Sequence, residues 1–337
     1  MSVALPAQAE AAEPAQAPGR ASEGVAMLVA TRGDGTLEHA RFEELPRFLS
    51  PGDLLIVNTS ATLPAALAAR LGERPFELHV STPLGAGRWV VELRTHERQP
   101  VHRPPIGARL DLPAGAKVAL LERYRGSDRL SVARFALDEP LADYLRRHGA
   151  PIRYAASAEG RPLEDYQTIF ALEPGSAEMP SAGRAFTPDL VTELVARGVL
   201  IAPVTLHAGV SSLEGNEPPY PERYRVPPTT AGLVNAIHTW GGRVIAVGTT
   251  VVRALETVAG RDGAVRAGAG STDLVVTPAR GLRAVDGMLT GWHDPESSHL
   301  TLLEAAAGPE LLARCYSAAR AAGYVWHEFG DLSLILP

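Results

Sequence analysis

The spacing of apolar positions changes along this 337-residue chain, and each change marks a different kind of structure. Near the amino end, apolar runs predict strands at residues 25–31, 37–42 and 54–58 and a short helix at 43–49. Between about residues 64 and 152, short apolar runs are separated by turn residues, which is typical of a small barrel or sandwich. The strands predicted in that stretch are 76–82, 88–94, 108–112, 118–124 and 130–135.

Beyond the barrel pattern, helical and apolar segments alternate as they do in α/β domains. Helices are predicted at 188–197, 229–239, 250–259 and 309–322. Strands are predicted at 199–206, 243–247, 273–277 and 332–336. We therefore predict an α/β fold, with a discontinuous α/β domain (23–63 and 154–337), an inserted small β-barrel domain (64–153) and a flexible amino-terminal arm (1–22).

A strand, a tight turn and a helix start follow one another between residues 242 and 256. Residues 244–247 are the apolar, β-branched type of run found in sheets that are covered on both faces. Gly248 permits a sharp exit from the strand, and Thr249 or Thr250 is expected to cap the next helix. A helix amino terminus just past the carboxyl end of a strand attracts anions, and Arg253 follows closely. These residues predict a ligand-binding corner.

The alternative interpretation of this corner is an ordinary crossover from strand to helix. Arg253 then pairs with Glu256 or Glu222 and serves only the stability of the fold. The residues of the corner alone do not decide between the two interpretations.

Four further candidates are polar residues outside this corner. His207 follows an apolar strand and precedes Gly209, so a neutral imidazole there is placed to accept a proton, although a structural hinge is the alternative. Glu222 suits either a ligand contact or an ion pair with a nearby arginine. His293 lies in a loop beyond Asp286, whose carboxylate suits either hydroxyl recognition or a structural cap.

Composition limits the classes of function that remain. The formal net charge is −6, so the charge of the whole protein does not attract nucleic acid, although a local basic patch could. The single cysteine, Cys315, excludes a disulfide within the chain, and the spacing of histidines and acids matches no metal motif. No signal peptide or apolar run of membrane-spanning length is present, so we expect a cytoplasmic protein that does not contact a membrane.

The sequence also contains a series of motif blocks in a fixed order. The first and most specific is Ala-Val-Gly-Thr-Thr-Val-Val-Arg-Ala-Leu-Glu at residues 246–256. The others lie at 51–58, 165–168, 175–176, 180–183, 186–187, 204–209, 222–226, 272–274, 285–290 and 329–331. In these blocks the chain resembles the S-adenosylmethionine:tRNA ribosyltransferase-isomerase family of queuosine biosynthesis, from about residue 42 to the end. The resemblance also implies an α/β domain with an inserted barrel.

The resemblance implies a specific reaction, with S-adenosylmethionine as a co-substrate and no metal or redox cofactor. A base removes a proton from the carbon beside the sulfonium, the ribose rearranges and moves to a 7-aminomethyl-7-deazaguanine base in tRNA, and adenine and methionine leave. The catalytic candidates are His207, Glu222 and His293. The candidates for substrate binding are Asn58, Thr187, Gly209, Tyr224, Thr249, Thr250, Arg253 and Asp286.

The chain departs from the family pattern where a second substrate would bind. Ala61 and Ala66 stand in place of arginines, Ala185 in place of a histidine and Glu296 in place of an arginine. Of the family's Met-His-Ser-Glu segment, residues 219–222 keep only the carboxylate. Two alternatives therefore stay open beside the tRNA reaction: a divergent paralogue with a small-molecule acceptor, and a non-catalytic protein that binds an adenosyl ligand.

Overall fold

The computed structural model describes residues 24–153, 161–210, 219–293, 299–326 and 329–337. Its strands are β1 (Ala26–Thr31), β2 (Leu37–Arg41), β3 (Leu54–Asn58), β4 (Ser60–Thr62), β5 (Ala66–Leu71), β6 (Arg74–Gly85), β7 (Arg88–Thr95), β8 (Arg109–Asp111), β9 (Lys117–Arg123), β10 (Leu130–Ala136), β11 (Glu173–Ser176), β12 (Leu200–Leu206), β13 (Glu222–Val226), β14 (Val244–Val247), β15 (Gly268–Thr272), β16 (Gly287–Gly291) and β17 (Leu332–Leu336). Its α-helices are α1 (Leu141–His148), α2 (Pro188–Ala196), α3 (Pro228–Trp240), α4 (Thr249–Val258), α5 (His299–Ala307) and α6 (Pro309–Ala321).

A nine-stranded mixed sheet forms the centre of the α/β domain, in the order β15-β13-β12-β3-β14-β16-β17-β1-β2. Strands β12, β3, β14 and β16 are parallel, so their carboxyl ends lie along one side of the sheet, which we call the carboxyl edge. The antiparallel strand β13 begins at this edge and β15 ends there, because Glu222 pairs with Thr272. Polar residues at or just after the ends of these parallel strands, such as Asn58, His207 and His293, are thereby collected at one edge.

Apolar side chains cover both faces of this sheet. Every residue of β3 and β14 is buried, as expected for strands enclosed between two layers. One core contains residues of α3, α4, α5 and α6, and the other contains residues of α2 and of the 3₁₀ turn Phe42–Arg47. No helix among the described residues is long and apolar enough to cross a membrane.

The inserted domain is a closed six-stranded barrel in the order β10-β7-β6-β5-β8-β9. The chain leaves the large sheet through β4 and returns through β11, and these two strands pair in parallel. All barrel strands and α1 fall within the predicted range 64–153. The predicted α/β class with an inserted barrel is confirmed.

The structure differs from the predicted elements in a few places. The strand predicted at 273–277 is wrong, because the strand in this region is β15 and it ends at Thr272. Its partner β13 begins at Glu222, opposite Thr272, so residues after Thr272 have no residue of β13 to pair with. The helix predicted at 43–49 is a 3₁₀ turn that contains Pro46, which cannot donate a backbone hydrogen bond. Besides β15, the sequence does not predict seven of the described strands and helices: β4, β5, β11, β13, β16, α1 and α5.

A charged network is buried on the outer face of the barrel, because Glu92 alternates along β7 with Val91 and Leu93 of the barrel core. The Glu92 carboxylate contacts Arg129 at 2.7 Å and Arg94 at 2.7 Å, and all three side chains are almost fully buried. Burial alone would raise the pKa of Glu92, but a hydrogen bond with His79 and the two arginines lower it to about 2. Glu92 therefore stays ionised at neutral pH. Its pairing adds stability above its unfolded pKa, and this contribution is lost as the pH falls towards 2.

Removing Arg129 tests this network. Arg129→Met leaves Glu92 buried with one fewer cation, so we expect the free energy of unfolding to fall by about 3–5 kcal/mol. The matched control is Arg123→Met, which removes an exposed pair with Asp128 and should change the free energy by less than about 1 kcal/mol. Urea titration of both variants measures the difference. Equal, small losses in the two variants would show that the buried network does not stabilise the barrel.

Candidate functional site

Asn58, the last residue of β3, connects three elements at the carboxyl edge. Its side-chain Nδ2 donates to the Leu206 carbonyl at 2.9 Å and to Thr250 Oγ1 at 3.2 Å. Its Oδ1 accepts from the Leu206 amide at 3.0 Å and from the Ser60 amide at 3.0 Å. Since an amide side chain has four such positions, Asn58 is saturated by protein contacts. The structure therefore gives Asn58 a positioning role between β3, β12 and α4.

His207 follows β12 and is held by two serines. Its Nδ1 lies 2.7 Å from Ser60 Oγ, which lies 2.6 Å from Ser176 Oγ. The Ala208 amide donates to Ser176 Oγ at 3.0 Å and completes the chain. The ring lies directly against Gly175, where an added Cβ would stand 2.3 Å from Nδ1. A glycine at position 175 is therefore required by the close approach of the imidazole.

The surroundings of His207 keep its ring neutral. Burial lowers the pKa of His207 first, the Arg223 guanidinium lowers it further, and together they bring it to about 4. Glu173 acts in the opposite direction, but its carboxylate is paired with Arg225. The imidazole is thus uncharged at neutral pH and becomes protonated only as the pH falls to about 4. Within the described part of the chain, Nε2 makes no hydrogen bond.

Glu222 and Arg253 form an ion pair beside His207. One oxygen of Glu222 pairs with Arg253, and the other accepts from the Gly209 amide at 2.8 Å. Arg253 also donates to the Thr272 carbonyl at 3.2 Å and approaches the Leu274 carbonyl at 3.4 Å, and only 8% of its side chain is exposed. The sequence left open whether Arg253 contacts a ligand or pairs with Glu256 or Glu222. The structure shows the pair with Glu222.

The helix at the corner begins differently from the prediction. Gly248 occupies the position before α4 with a φ of 98°, which favours glycine, and no side chain caps the helix. The prediction that Thr249 or Thr250 caps this helix is wrong, because α4 starts at Thr249 itself and Thr250 bonds to Asn58. An added Cβ at Gly248 would stand 3.3 Å from the Ala182 Cβ, so the segment around residues 181–183 borders the corner. The first amides of α4 lie at the carboxyl edge.

His293 follows β16 and contacts a second histidine. Its Nε2 lies 3.0 Å from Thr290 Oγ1, and its Nδ1 lies 3.1 Å from Nδ1 of His299. Burial and then the positive charge of Arg253 lower the pKa of His299 to about 4, so its ring is neutral. His293, His299 and the Arg253 pair therefore form one neighbourhood at the carboxyl edge.

Three predicted site residues have other surroundings. Thr187 Oγ1 accepts from the Leu190 amide at 3.2 Å and caps α2. Tyr224 packs against the glycines of β15 and the core beneath α4. Asp286 accepts from the Val244 amide at 2.8 Å, at the amino end of β14. Asp286 thus lies at the opposite side of the sheet from the carboxyl edge, and the structure does not bring it together with the other candidates.

Sequence reasoning missed four side chains at this edge: Ser60, Ser176, Arg223 and His299. The serines approach His207 only because β4 pairs with β11. The Arg223 Nε atom is buried and has no acceptor in the part of the chain that the structure describes, and burial lowers the pKa of Arg223. In the described residues, no three histidine, cysteine or acidic side chains lie together in a way that could hold a metal ion.

Two of the four positions that depart from the family pattern lie near the junction with the barrel. Ala61 is in the middle of β4, and Ala66 is 5% exposed at the start of β5. Ala185 is also buried, at 6% exposure, in the core on the α2 side of the sheet. Glu296 lies outside the described residues. A long side chain at position 66 would have to displace its neighbours in the barrel.

Comparison with known proteins agrees with the motif blocks. The family model described as "Queuosine biosynthesis protein" matches residues 2–335. A protein of Acidiphilium cryptum named S-adenosylmethionine:tRNA ribosyltransferase-isomerase is 37% identical over 344 residues, which cover 98% of this chain and 96% of that protein. A protein with the same name from Moorella thermoacetica is 36% identical over 340 residues, which cover 96% of each.

A solved structure extends this agreement to the fold. The crystal structure of S-adenosylmethionine tRNA ribosyltransferase from Thermotoga maritima aligns with 99% of both chains, with a TM-score of 0.55 and 28% identity. The resemblance that the motif blocks indicated is thereby confirmed over nearly the whole chain. This chain belongs to the queuosine biosynthesis protein family.

Proposed function

We propose that this protein transfers and isomerises the ribosyl group of S-adenosylmethionine onto a 7-aminomethyl-7-deazaguanine base in tRNA, with release of adenine and methionine. Its membership of the family and the names of its relatives support the reaction. The observation that carries the proposal is the neutral His207 with an open Nε2 at the carboxyl edge. The reaction as proposed needs no metal or redox cofactor.

In this proposal His207 is the base. The sulfonium of the donor acidifies the neighbouring 5′ carbon, and Nε2 of the neutral imidazole accepts its proton. The Ser60 hydroxyl oxygen can accept a hydrogen bond from Nδ1–H, which favours the tautomer whose lone pair is on Nε2. Glu222 is less suited to this task, because Arg253 and the Gly209 amide occupy its two oxygens.

The remaining candidates position the substrates. Arg253 holds Glu222 in place, and Glu222 in turn fixes the backbone of Gly209 two residues after His207. The amino terminus of α4 offers backbone donors to a negatively charged or polar group. After proton removal the ribose rearranges, adenine and methionine leave, and the aminomethyl group of the acceptor base takes the ribosyl carbon. A tRNA acceptor places the protein in the cytoplasm.

A small-molecule acceptor is the second candidate, and the departures from the family pattern favour it. Ala61 and Ala66 lie at the junction of the two domains and offer no cation to an RNA phosphate. The formal net charge of −6 points in the same direction. A protein that only binds an adenosyl ligand would release no adenine, so adenine release separates it from both enzymes.

Adenine release is the direct test of the proposed reaction. Purified protein with S-adenosylmethionine and tRNA that carries the 7-aminomethyl-7-deazaguanine base should produce adenine in step with modified tRNA, as measured by chromatography. His207→Gln should slow this release by about 10²–10⁴-fold and still bind the donor, because the base is lost and the pocket is kept. If the protein binds the donor but releases no adenine with any acceptor, the reaction is contradicted and the alternative of a non-catalytic binding protein remains.

The close approach of Gly175 to His207 gives a second test. Gly175→Ala places a methyl group in the space of the imidazole, so the ring must move and adenine release should fall by about 10²-fold. Gly232→Ala is the matched control, because a Cβ at that helical position meets no atom within 4 Å. Melting temperatures of both variants separate misplacement of His207 from unfolding. Wild-type activity in a folded Gly175→Ala variant would remove His207 from the mechanism.

A further inference from the structure

Arg223 is the second residue of β13, and its surroundings differ from those of Arg225 on the same strand. Successive side chains of a strand point to opposite faces, so Arg223 shares a face with Arg225 and not with Glu222. Arg225 pairs with Glu173 and contacts Thr205 Oγ1 at 3.3 Å. Arg223 forms no ion pair with any described residue, and its Nε atom is buried without an acceptor.

His207 lies beside this unpaired guanidinium. The His207 amide donates to the Arg223 carbonyl at 2.9 Å, and the positive charge of Arg223 lowers the pKa of the imidazole. Each of the two residues has a side-chain nitrogen that no described residue satisfies, the Arg223 Nε and the His207 Nε2. An unpaired guanidinium and an unsatisfied imidazole nitrogen on two residues that pair through their backbones indicate that a ligand contacts both side chains.

Charge identifies the ligand group that Arg223 suits. Even partial burial of a guanidinium without a counter-charge is unfavourable, and a planar oxyanion offers it two parallel hydrogen bonds. Arg253, where the sequence predicted an anion site, is already engaged by Glu222 and two carbonyls. We propose that Arg223 binds the α-carboxylate of the donor S-adenosylmethionine. The inference rests on the proposed function and assigns one part of its donor site.

A phosphate of the acceptor is the other oxyanion in the reaction. Contacts to a nucleic-acid backbone are typically made by side chains that project freely from the surface, whereas Arg223 is only partly exposed and its Nε is enclosed. The carboxylate belongs to a small molecule that must reach His207 in any case. Arg223 and His207 therefore contact the same molecule, the guanidinium at its amino-acid end and the imidazole at the ribose.

Carboxylate binding also has a consequence for the base. The charged groups that act on His207 are Arg223, Arg225 and Glu173, and the last two already pair with each other. Neutralising the charge of Arg223 removes one of the two main causes of the low pKa of His207. The bound carboxylate thereby offsets part of the effect that the positive sulfonium of the donor has on the imidazole.

The experiment compares two donors on three proteins by calorimetry. S-adenosylmethionine and decarboxylated S-adenosylmethionine differ only in the carboxylate, and the proteins are the wild type, Arg223→Gln and Arg225→Gln. The wild type should bind the carboxylated donor roughly 10- to 100-fold more tightly than the decarboxylated one. Arg223→Gln should bind both donors alike, at the affinity of the decarboxylated donor. Arg225→Gln, which loses an existing ion pair instead, should keep the preference of the wild type.

Several results would overturn the inference. If Arg223→Gln keeps the full preference for the carboxylate, another group binds it. If the variant loses affinity for both donors equally, Arg223 serves only the structure. If it binds both as the wild type does but loses tRNA affinity with a shallower salt dependence, Arg223 contacts a phosphate. Failure of the proposed function looks different, because the wild type would then bind no donor or release no adenine.

Discussion

The four hydrogen bonds of Asn58 are the constraint on which the geometry of the site depends. They join the carboxyl end of β3 to that of β12 and to the first turn of α4, across separations of 148 and 192 residues. The Ser60 amide on Asn58 then directs the chain into β4, so that Ser60 Oγ meets His207. The saturated amide of Asn58 thereby fixes the relative positions of the ends of β3 and β12, of Ser60 and of the first turn of α4.

Two groups of side chains with different electrostatic states flank the His207–Gly209 segment. On one side, Glu222 and Arg253 satisfy each other and the surrounding backbone. On the other side, His207 and Arg223 each retain a nitrogen that no described residue satisfies. A closed ion pair provides rigidity, whereas open polar groups at a strand end provide binding and proton transfer. The barrel borders this segment, because the Val210 amide donates to Ser81 Oγ on β6 at 3.0 Å.

The sequence predicts best the elements that are buried and consist of an uninterrupted apolar run. The bounds of β3, β12, β14 and β17 are predicted to within a residue, since an uninterrupted apolar run needs no knowledge of its partner. By contrast, β15 reads Gly-Ala-Gly-Ser-Thr and has little strand propensity of its own. It becomes a strand only through its ladder with β13, which the sequence alone does not reveal.

The site shows the same division. His207 is predictable because a polar residue directly after an apolar strand marks the carboxyl edge. The choice of Glu222 over Glu256 as the partner of Arg253 depends on tertiary packing, in which Glu256 is taken by Arg280 at 2.6 Å. The sequence does not predict β16, which begins directly after Asp286. Without that strand, Asp286 looks like a residue that follows a strand at the carboxyl edge, whereas it precedes one at the opposite side of the sheet.

The central claim is that the neutral imidazole of His207 faces the carbon that loses its proton. The most direct measurement is a crystal structure of the protein with S-adenosylmethionine bound. The account predicts the 5′ carbon of the donor within about 3.5 Å of His207 Nε2, with the Glu222–Arg253 pair intact. A donor whose 5′ carbon lies against Glu222, or one seated at the opposite side of the sheet near Asp286, would contradict it.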